Sequence, residues 1–279
     1  MSYAIHAATG AQGRPLHARL LATGKKPIAL VRNTANVSDG SAVAVDYASV
    51  NSLVAAYRGA EGVFVHLPVA AEPQRVQFAQ NIVAAVNEAK PARVVVLSSG
   101  APIDLPGTRG SAVMTLVHGI RESGVSHAIV APRLYLENLL LPFVIDAVRS
   151  DGVLRYPIRD DFSVSWSSHL DVAEVIERLL TDHKVSGVVG LGHVPGLLGK
   201  DLAAGFAEYF GRAVSFEAMT PQELGQRIEP MYGDAAGGVV ALYDALWQAP
   251  NSVIAEDTSA QALLGLRPLG VEQWLKQTL

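Results

Sequence analysis

Residues 5–15 read Ile5-His6-Ala7-Ala8-Thr9-Gly10-Ala11-Gln12-Gly13-Arg14-Pro15, an apolar strand end, two glycines and the start of a helix. Glycines belong where a side chain would block the approach to the backbone. Pro15 near the start of the next segment and Gly24 just past Thr23 have the asymmetry of helix termini, and predict a helix over Pro15–Thr23. A strand, a glycine turn and a helix in this order aim backbone N–H groups and the positive end of a helix at one point, which is what a phosphate needs. A glycine pair alone also fits an ordinary strand-to-helix turn. Its place in the first of a series of such units narrows the reading to a turn that holds a dinucleotide.

The series is visible downstream. Tyr3–His6, Pro27–Val31, Ala42–Val45, Gly62–Leu67, Arg93–Ser98 and Ala128–Ala131 are short runs rich in Val, Ile and Leu. They are continuous rather than alternating, the mark of parallel strands covered on both faces. Between them, Gln74–Ala89 places Phe78, Ile82, Val83 and Val86 on one helical face, and Ser49 is positioned to cap a helix running to Tyr57. The expected fold is a doubly wound, Rossmann-type α/β sheet with right-handed crossovers.

After about residue 132 the pattern loosens. Leu136–Val148 and Asp171–Leu180 read as helices and Gly187–Leu191 as a further strand. Asp201–Phe210, Pro221–Ile228 and Ala235–Leu246 suggest a smaller, mainly helical C-terminal lobe. The division expected is a nucleotide-binding domain over 1–155, with 165–192 returning to it, and a substrate lobe over 193–279.

In folds of this type the residue ending the second strand, about 20 residues beyond the glycines, meets the adenosine ribose. A carboxylate there would accept the two ribose hydroxyls of NAD. Here the stretch is Val31-Arg32-Asn33-Thr34, with no carboxylate before Asp39. A guanidinium suits a 2′-phosphate and stacks on adenine, so the sequence favours NADP(H) over NAD(H), the alternative being a solvated surface arginine.

Composition excludes several classes. Of 279 residues, 49% are hydrophobic and 17% charged, enough apolar surface for a sizeable core. The net charge of −4 argues against a nucleic-acid partner. There is no cysteine, hence no thiolate chemistry, disulfide or Cys-based zinc site. The histidines lack metal-ligand spacing, and neither a Gly-x-Ser-x-Gly elbow nor a Walker loop is present. A strand beginning at Tyr3 leaves no room for a signal peptide, and no apolar run reaches the roughly 18 residues of a membrane span. The expected setting is the cytoplasm, away from membranes. The oligomeric state stays open, a homodimer included.

The ordered set of motifs resembles the NmrA-like branch of the atypical short-chain dehydrogenases/reductases. The likeness is carried by Ala7-Ala8-Thr9-Gly10-Ala11-Gln12-Gly13, Ala29-Leu30-Val31-Arg32-Asn33, Asp46-Tyr47 and Val94-Val95-Val96-Leu97-Ser98-Ser99. It continues through Glu122-Ser123-Gly124-Val125, Leu136-Glu137-Asn138, His169-Leu170-Asp171-Val172-Ala173, Leu263-Leu264-Gly265 and Glu272-Gln273-Trp274-Leu275. The resemblance implies that Thr9, Gly10, Ala11, Gln12 and Gly13 hold the pyrophosphate, Arg32 the 2′-phosphate and Asp46 the adenine. His66, Leu67, Pro68 and Ser98 would line the rest of the groove.

Two departures stand out. Ala7 replaces the first of the family's three glycines. The Tyr-x-x-x-Lys pair of standard reductases is absent, since none of the eight tyrosines has Lys four residues on. In the standard enzyme that tyrosine protonates the substrate oxygen and the lysine lowers its pKa.

His118 stands near the position where reductase relatives carry a lysine, and would contact ribose or shuttle a proton; it reads equally as a half-buried helix residue. Tyr135, after the sixth strand, would touch substrate or pack in its loop. Ser98 and Ser99 would contact cofactor. His169 and Asp171 resemble a family feature near the site, with Asp171 a natural helix cap. Trp166, Phe162, Tyr232, Tyr243, Trp247 and Met231 would wall a pocket for a flat aromatic ligand or form the lobe's core. The leading reading is an NADPH-dependent reductase of a small, hydrophobic quinone-like or polycyclic aromatic substrate. Its rivals are a non-catalytic NADP(H) sensor that regulates a protein partner, and an isomerase or oxygenase that keeps the fold without hydride transfer.

Overall fold

The computed structural model describes residues 2–38, 40–98, 100, 103, 110–233 and 236–279. Asp39, Ser99, Ala235 and the side chain of Tyr232 lie outside the described residues. The chain packs as two compact units: Met1–Pro132 with His169–Gly190 and Ala260–Leu266, and Arg133–Ser168 with Leu191–Ser259 and Arg267–Leu279.

The first stretch runs β1 (Tyr3–His6), α1 (Gly13–Ala22), β2 (Pro27–Val31), β3 (Ser41–Ala44), α2 (Val50–Tyr57) and β4 (Gly62–Val65). It continues with α3 (Glu72–Ala89), β5 (Val94–Leu97), α4 (Ala112–Glu122) and β6 (His127–Pro132). Then come β7 (Leu134–Tyr135), α5 (Pro142–Asp151), β8 (Val153–Tyr156), β9 (Trp166–Ser167), α6 (His169–Thr181) and β10 (Gly187–Leu191). The last elements are α7 (Gly199–Phe210), β11 (Ser215–Ala218), α8 (Pro221–Tyr232), α9 (Ala236–Gln248), α10 (Ala260–Leu264) and α11 (Val271–Thr278).

The main sheet has seven strands in the order β10-β6-β5-β4-β1-β2-β3. β1 pairs in parallel with both β2 and β4, so the strand order reverses at β1, the position where open α/β sheets open a crevice at their carboxyl ends. β1, β4 and β5 are buried along their whole length, as continuous apolar runs demand. β3, at the edge, is largely exposed. Leu53, Val63, Ile82, Val94, Ile120 and Ile129 belong to the core of this unit. α2 is capped as its sequence predicts, Ser49 Oγ accepting the Ser52 N–H at 3.3 Å.

Within the first unit, the segment His169–Gly190 is held to Met1–Pro132 by a buried arginine. Arg93 Nε donates to Leu179 O at 2.9 Å, its Nη1 to Ser126 Oγ at 2.9 Å, and its Nη2 to Val185 O. A guanidinium taken from water must fill its donors in this way. In the same segment, Arg19 of α1 reaches Glu174 at 2.9 Å and Glu177 at 2.5 Å, both on α6.

In the second unit the helix expected over Leu136–Val148 is broken. Leu136–Leu140 forms a 3₁₀ turn, Leu141 is extended, and α5 starts at Pro142. A proline has no N–H for the preceding turn and is at home in the first turn of a new helix. Two short parallel pairs, β8 with β11 and β7 with β9, stand among the helices. At two to four residues each, these strands are too short to show a period in sequence.

Candidate functional site

The turn between β1 and α1 is built around the backbone of Ala7. Ala7 takes φ 49°, the left-handed region, which costs a residue with a β-carbon about 1–2 kcal/mol. Gly10 N–H donates to Ala7 O at 2.8 Å, and Arg14 N–H to Gly10 O at 3.0 Å. A β-carbon on Gly13 would stand 2.2 Å from Ala7 O and 2.7 Å from His6 O, so only glycine lets α1 begin this close to β1. α1 has no side-chain cap at Gln12 and no acidic residue in its first turn. No side chain therefore occupies the place in front of this first turn where a helix receives an anion. Gly13 is buried, Gly10 and Gln12 are half-buried, and Thr9 and Ala11 are exposed.

The other groove candidates follow the neighbouring strands. In the β1–β2 register His6 lies opposite Leu30, and in the β1–β4 register Ile5 lies opposite Phe64. This brings Ala7, Arg32 and His66 to the same end of the sheet. Arg32 is exposed just past β2. Asp46 closes the turn after β3: its Oδ1 accepts the Ala48 N–H at 2.8 Å and its own N–H donates to Ser52 Oγ at 3.1 Å. His66, Leu67 and Pro68 follow β4. Ser98 follows β5, where its N–H donates to Val130 O at 3.0 Å. Its Oγ is buried with no hydrogen-bond partner among the described residues. An orphaned hydroxyl of this kind is what a bound ligand would satisfy.

Beneath the turn lies a layer of aromatic and imidazole rings that sequence reading did not single out. His6 is fully buried, and its Nε2 is 2.7 Å from the Tyr57 hydroxyl. The Tyr47 ring meets His6 edge-on at 5.2 Å. Burial pushes Tyr47 up to about 12 and His6 down to about 3, so both are neutral. His66 is pushed down to about 4, by burial first and then by the charges of Arg75 and His169; burial also takes His169 to about 4. At neutral pH His6, Tyr47, His66 and His169 therefore carry no charge. Arg75 is held by Glu72 at 2.6 Å, and Glu72 Oε1 accepts the Ala112 N–H at the start of α4 at 2.7 Å. The available signal was the pair Asp46-Tyr47, read for its carboxylate and not for its phenol.

His118 is half-buried in α4, six residues from Ala112 and so roughly 9 Å along the helix from its start. Tyr135 belongs to the second unit, in β7, opposite Ser167 of β9, with its hydroxyl buried. In that unit Trp166, Phe162 and Tyr243 are buried core residues, whereas Met231 is 50% exposed. Trp166 packs on Tyr156 at 5.4 Å, and the Tyr156 hydroxyl is hydrogen-bonded to that of Tyr243. Trp166 Nε1 and Ser167 Oγ are buried without a partner among the described residues. No set of three His, Cys, Asp or Glu residues among the described residues is arranged to hold a metal ion. No helix of the described residues is long and apolar enough to cross a membrane.

A doubly wound sheet whose first turn offers an uncapped helix N-terminus at the point of strand reversal defines a Rossmann-type protein with an anion-receiving turn. The pattern of the NmrA-like family matches residues 3–245, and the chain belongs to that family. Among solved structures it is similar to the triphenylmethane reductase of Citrobacter sp. complexed with NADP(H), at 19% identity over 99% of this chain and 100% of that one, with a TM-score of 0.80. It is also similar to an NADPH-dependent quinone oxidoreductase of Escherichia coli complexed with NADPH, at 18% identity over 99% of each chain and a TM-score of 0.77. A nucleoside-diphosphate-sugar epimerase of Staphylococcus aureus gives 18% identity, coverage of 99% and 100%, and a TM-score of 0.79. No curated protein matches the chain.

Proposed function

We propose that this protein is an NADPH-dependent reductase of a small, hydrophobic quinone-like or polycyclic aromatic substrate, working in the cytoplasm. The observation that carries the cofactor reading is the open N-terminus of α1 over the Ala7–Gly13 turn, with exposed Arg32, and no carboxylate, at the end of β2. Thr9 to Gly13 would receive the pyrophosphate, Arg32 the 2′-phosphate and Asp46 the adenine side. His66, Leu67, Pro68 and Ser98 would line the remainder, where the orphaned Ser98 Oγ fits a bound polar group. When bound, the cofactor supplies a hydride to the acceptor.

The chain's own contribution is to position and to exclude charge. Its imidazoles at His66 and His169 are neutral at pH 7 and hydrogen-bond without competing for the phosphates. An electron-poor ring needs alignment more than a strong acid, which accords with the missing Tyr-x-x-x-Lys pair. His118 is the candidate for ribose contact or proton shuttling and Tyr135 for substrate contact. The substrate class is supported by the dye reductase and quinone oxidoreductase among similar structures.

A second reading, an NADP(H) sensor without turnover, is favoured by the same missing pair. Intrinsic fluorescence titration with NADPH, NADP and NAD, followed by NADPH oxidation with a panel of quinones and triphenylmethane dyes, separates the two. Tight NADPH binding with turnover supports the reductase. Binding without turnover of any acceptor leaves the sensor, and no nucleotide binding refutes both.

A further inference from the structure

Arg133 is the single residue between β6, which ends at Pro132, and β7, which begins at Leu134. It is half-buried, yet its guanidinium makes no hydrogen bond or ion pair with any of the described residues. Other arginines withdrawn from water in this chain are paired. Arg93 fills three donors, and Arg19, Arg75, Arg155 and Arg159 each meet a carboxylate. Burial pushes the Arg133 guanidinium below its usual range, and no carboxylate among the described residues counters it. Withdrawing such a group from water without a partner costs free energy, which a ligand that brings acceptor oxygens restores.

The position of Arg133 narrows what that ligand is. It follows the carboxyl end of β6, which pairs in parallel with β5, and ligands of open α/β sheets bind at that end. β6 stands three strands from β1 in the sheet, about 14 Å at the usual strand spacing. The anion that suits Arg133 is therefore a different one from the pyrophosphate assigned to the β1 turn. Two residues on, Tyr135 lies opposite Ser167 of β9, whose buried Oγ also has no partner among the described residues. A planar fork of N–H donors matches two coplanar oxygens. We propose that Arg133 recognises a carboxylate on the substrate, so that the acceptor is an aromatic ring bearing an acidic group and not a purely hydrophobic one. This deepens the reductase reading and rests on it.

A matched pair of quinones tests the assignment: anthraquinone-2-carboxylate and its neutral, nearly isosteric carboxamide. Each is titrated by intrinsic fluorescence, beside NADP so that no reduction occurs, against the natural chain, Arg133→Gln and Arg133→Lys. NADPH oxidation by both quinones is followed separately. The natural chain should bind the carboxylate about tenfold or more tighter than the carboxamide. Arg133→Gln should weaken the carboxylate about 10–100-fold and leave the carboxamide within about twofold, and Arg133→Lys should restore part of the preference. No preference in the natural chain, binding of neither quinone included, would overturn the proposal. NADPH affinity should be unchanged in Arg133→Gln; its loss would give the guanidinium to a cofactor phosphate and overturn the substrate assignment. The urea midpoint of Arg133→Gln should hold or rise, because an unpaired, partly desolvated charge is removed. Failure to fold, or a lower midpoint with both quinones weakened equally, would make the residue structural and refute its role in recognition. The reductase reading fails on a separate result: a carboxylate preference that depends on Arg133, with turnover of neither quinone, upholds the recognition and removes hydride transfer.

Discussion

Gly13 and Ala7 are packed so closely that a β-carbon on Gly13 would stand 2.2 Å from the Ala7 carbonyl oxygen, far inside van der Waals contact. The first turn of α1 can approach β1 only because position 13 lacks a side chain. Gly10 is different: a β-carbon there would lie 3.2 Å from the same oxygen, a tight contact that a small shift relieves. Gly13→Ala should therefore lower stability by about 1–3 kcal/mol, the range for overpacking, and weaken NADPH by roughly tenfold or more. Gly10→Ala should cost clearly less on both counts. Urea unfolding and fluorescence titration of the two variants check this, and equal effects would contradict the geometry.

Arg32 is exposed beyond β2 and supplies the charge that the 2′-phosphate reading requires. Charge-assisted hydrogen bonds contribute about 1.5–3 kcal/mol, so Arg32→Asp should weaken NADPH roughly 10–100-fold. NADH, lacking that phosphate, should be changed little. Parallel titrations decide the matter: comparable losses for both nucleotides would remove the assigned role.

The buried imidazoles make stability depend on pH in a definite direction. His6 is held down to about 3, and His66 and His169 to about 4, whereas an unfolded histidine titrates near its model value of 6.5. Below pH 6.5 the unfolded chain binds protons that the folded chain refuses. Their stabilisation is thus complete above that pH and is lost as pH falls toward the folded values. His6 alone should contribute a loss of about 1.4 kcal/mol per pH unit between pH 6 and 4, with His66 and His169 acting in the same sense. Urea unfolding at a series of pH values measures the slope, and His6→Gln should reduce it by about one proton.

Arg19 bridges Glu174 and Glu177 from α1 to α6, and Thr23 Oγ1 adds a hydrogen bond to Glu177 at 2.6 Å. The Arg19 side chain is 40% exposed, so solvent screening reduces what the charges contribute. Arg19→Met, which keeps the aliphatic packing, should cost about 1 kcal/mol in urea unfolding. Because the Glu177 side chain is only 13% exposed, part of that loss should persist in high salt. A loss that vanishes entirely in salt would show the bridge to be a surface pair.

Much of the first strand–turn–helix unit was legible in the sequence because its parts are local. Tyr3–His6, Pro27–Val31 and Gly187–Leu191 were readable to their ends from continuous apolar runs. Gly10, Gly13 and Arg32 were readable because spacing along one strand–turn–helix unit nearly fixes their positions. In contrast, Leu136–Val148 misled: its apolar period continues through Leu141-Pro142, where the backbone breaks into two elements. The small pairs β7–β9 and β8–β11 join segments some 30 and 60 residues apart, and no period within either partner announces such a pairing. Trp166, Phe162 and Tyr243 were open between pocket wall and core until burial placed them inside.

The sequence by itself determined the doubly wound sheet, the glycine turn and the basic residue that ends β2, since each follows from periodicity or spacing over a few residues. Only the tertiary structure decided the left-handed conformation of Ala7 and what packs beside it. The Tyr47 ring that packs on His6 comes from beyond β3 and its anchor from α3, and His6 is neutral only because it is buried. A residue's conformational preference is written in its own side chain, but the forces that override it come from residues distant in sequence. These meet only when the chain is folded.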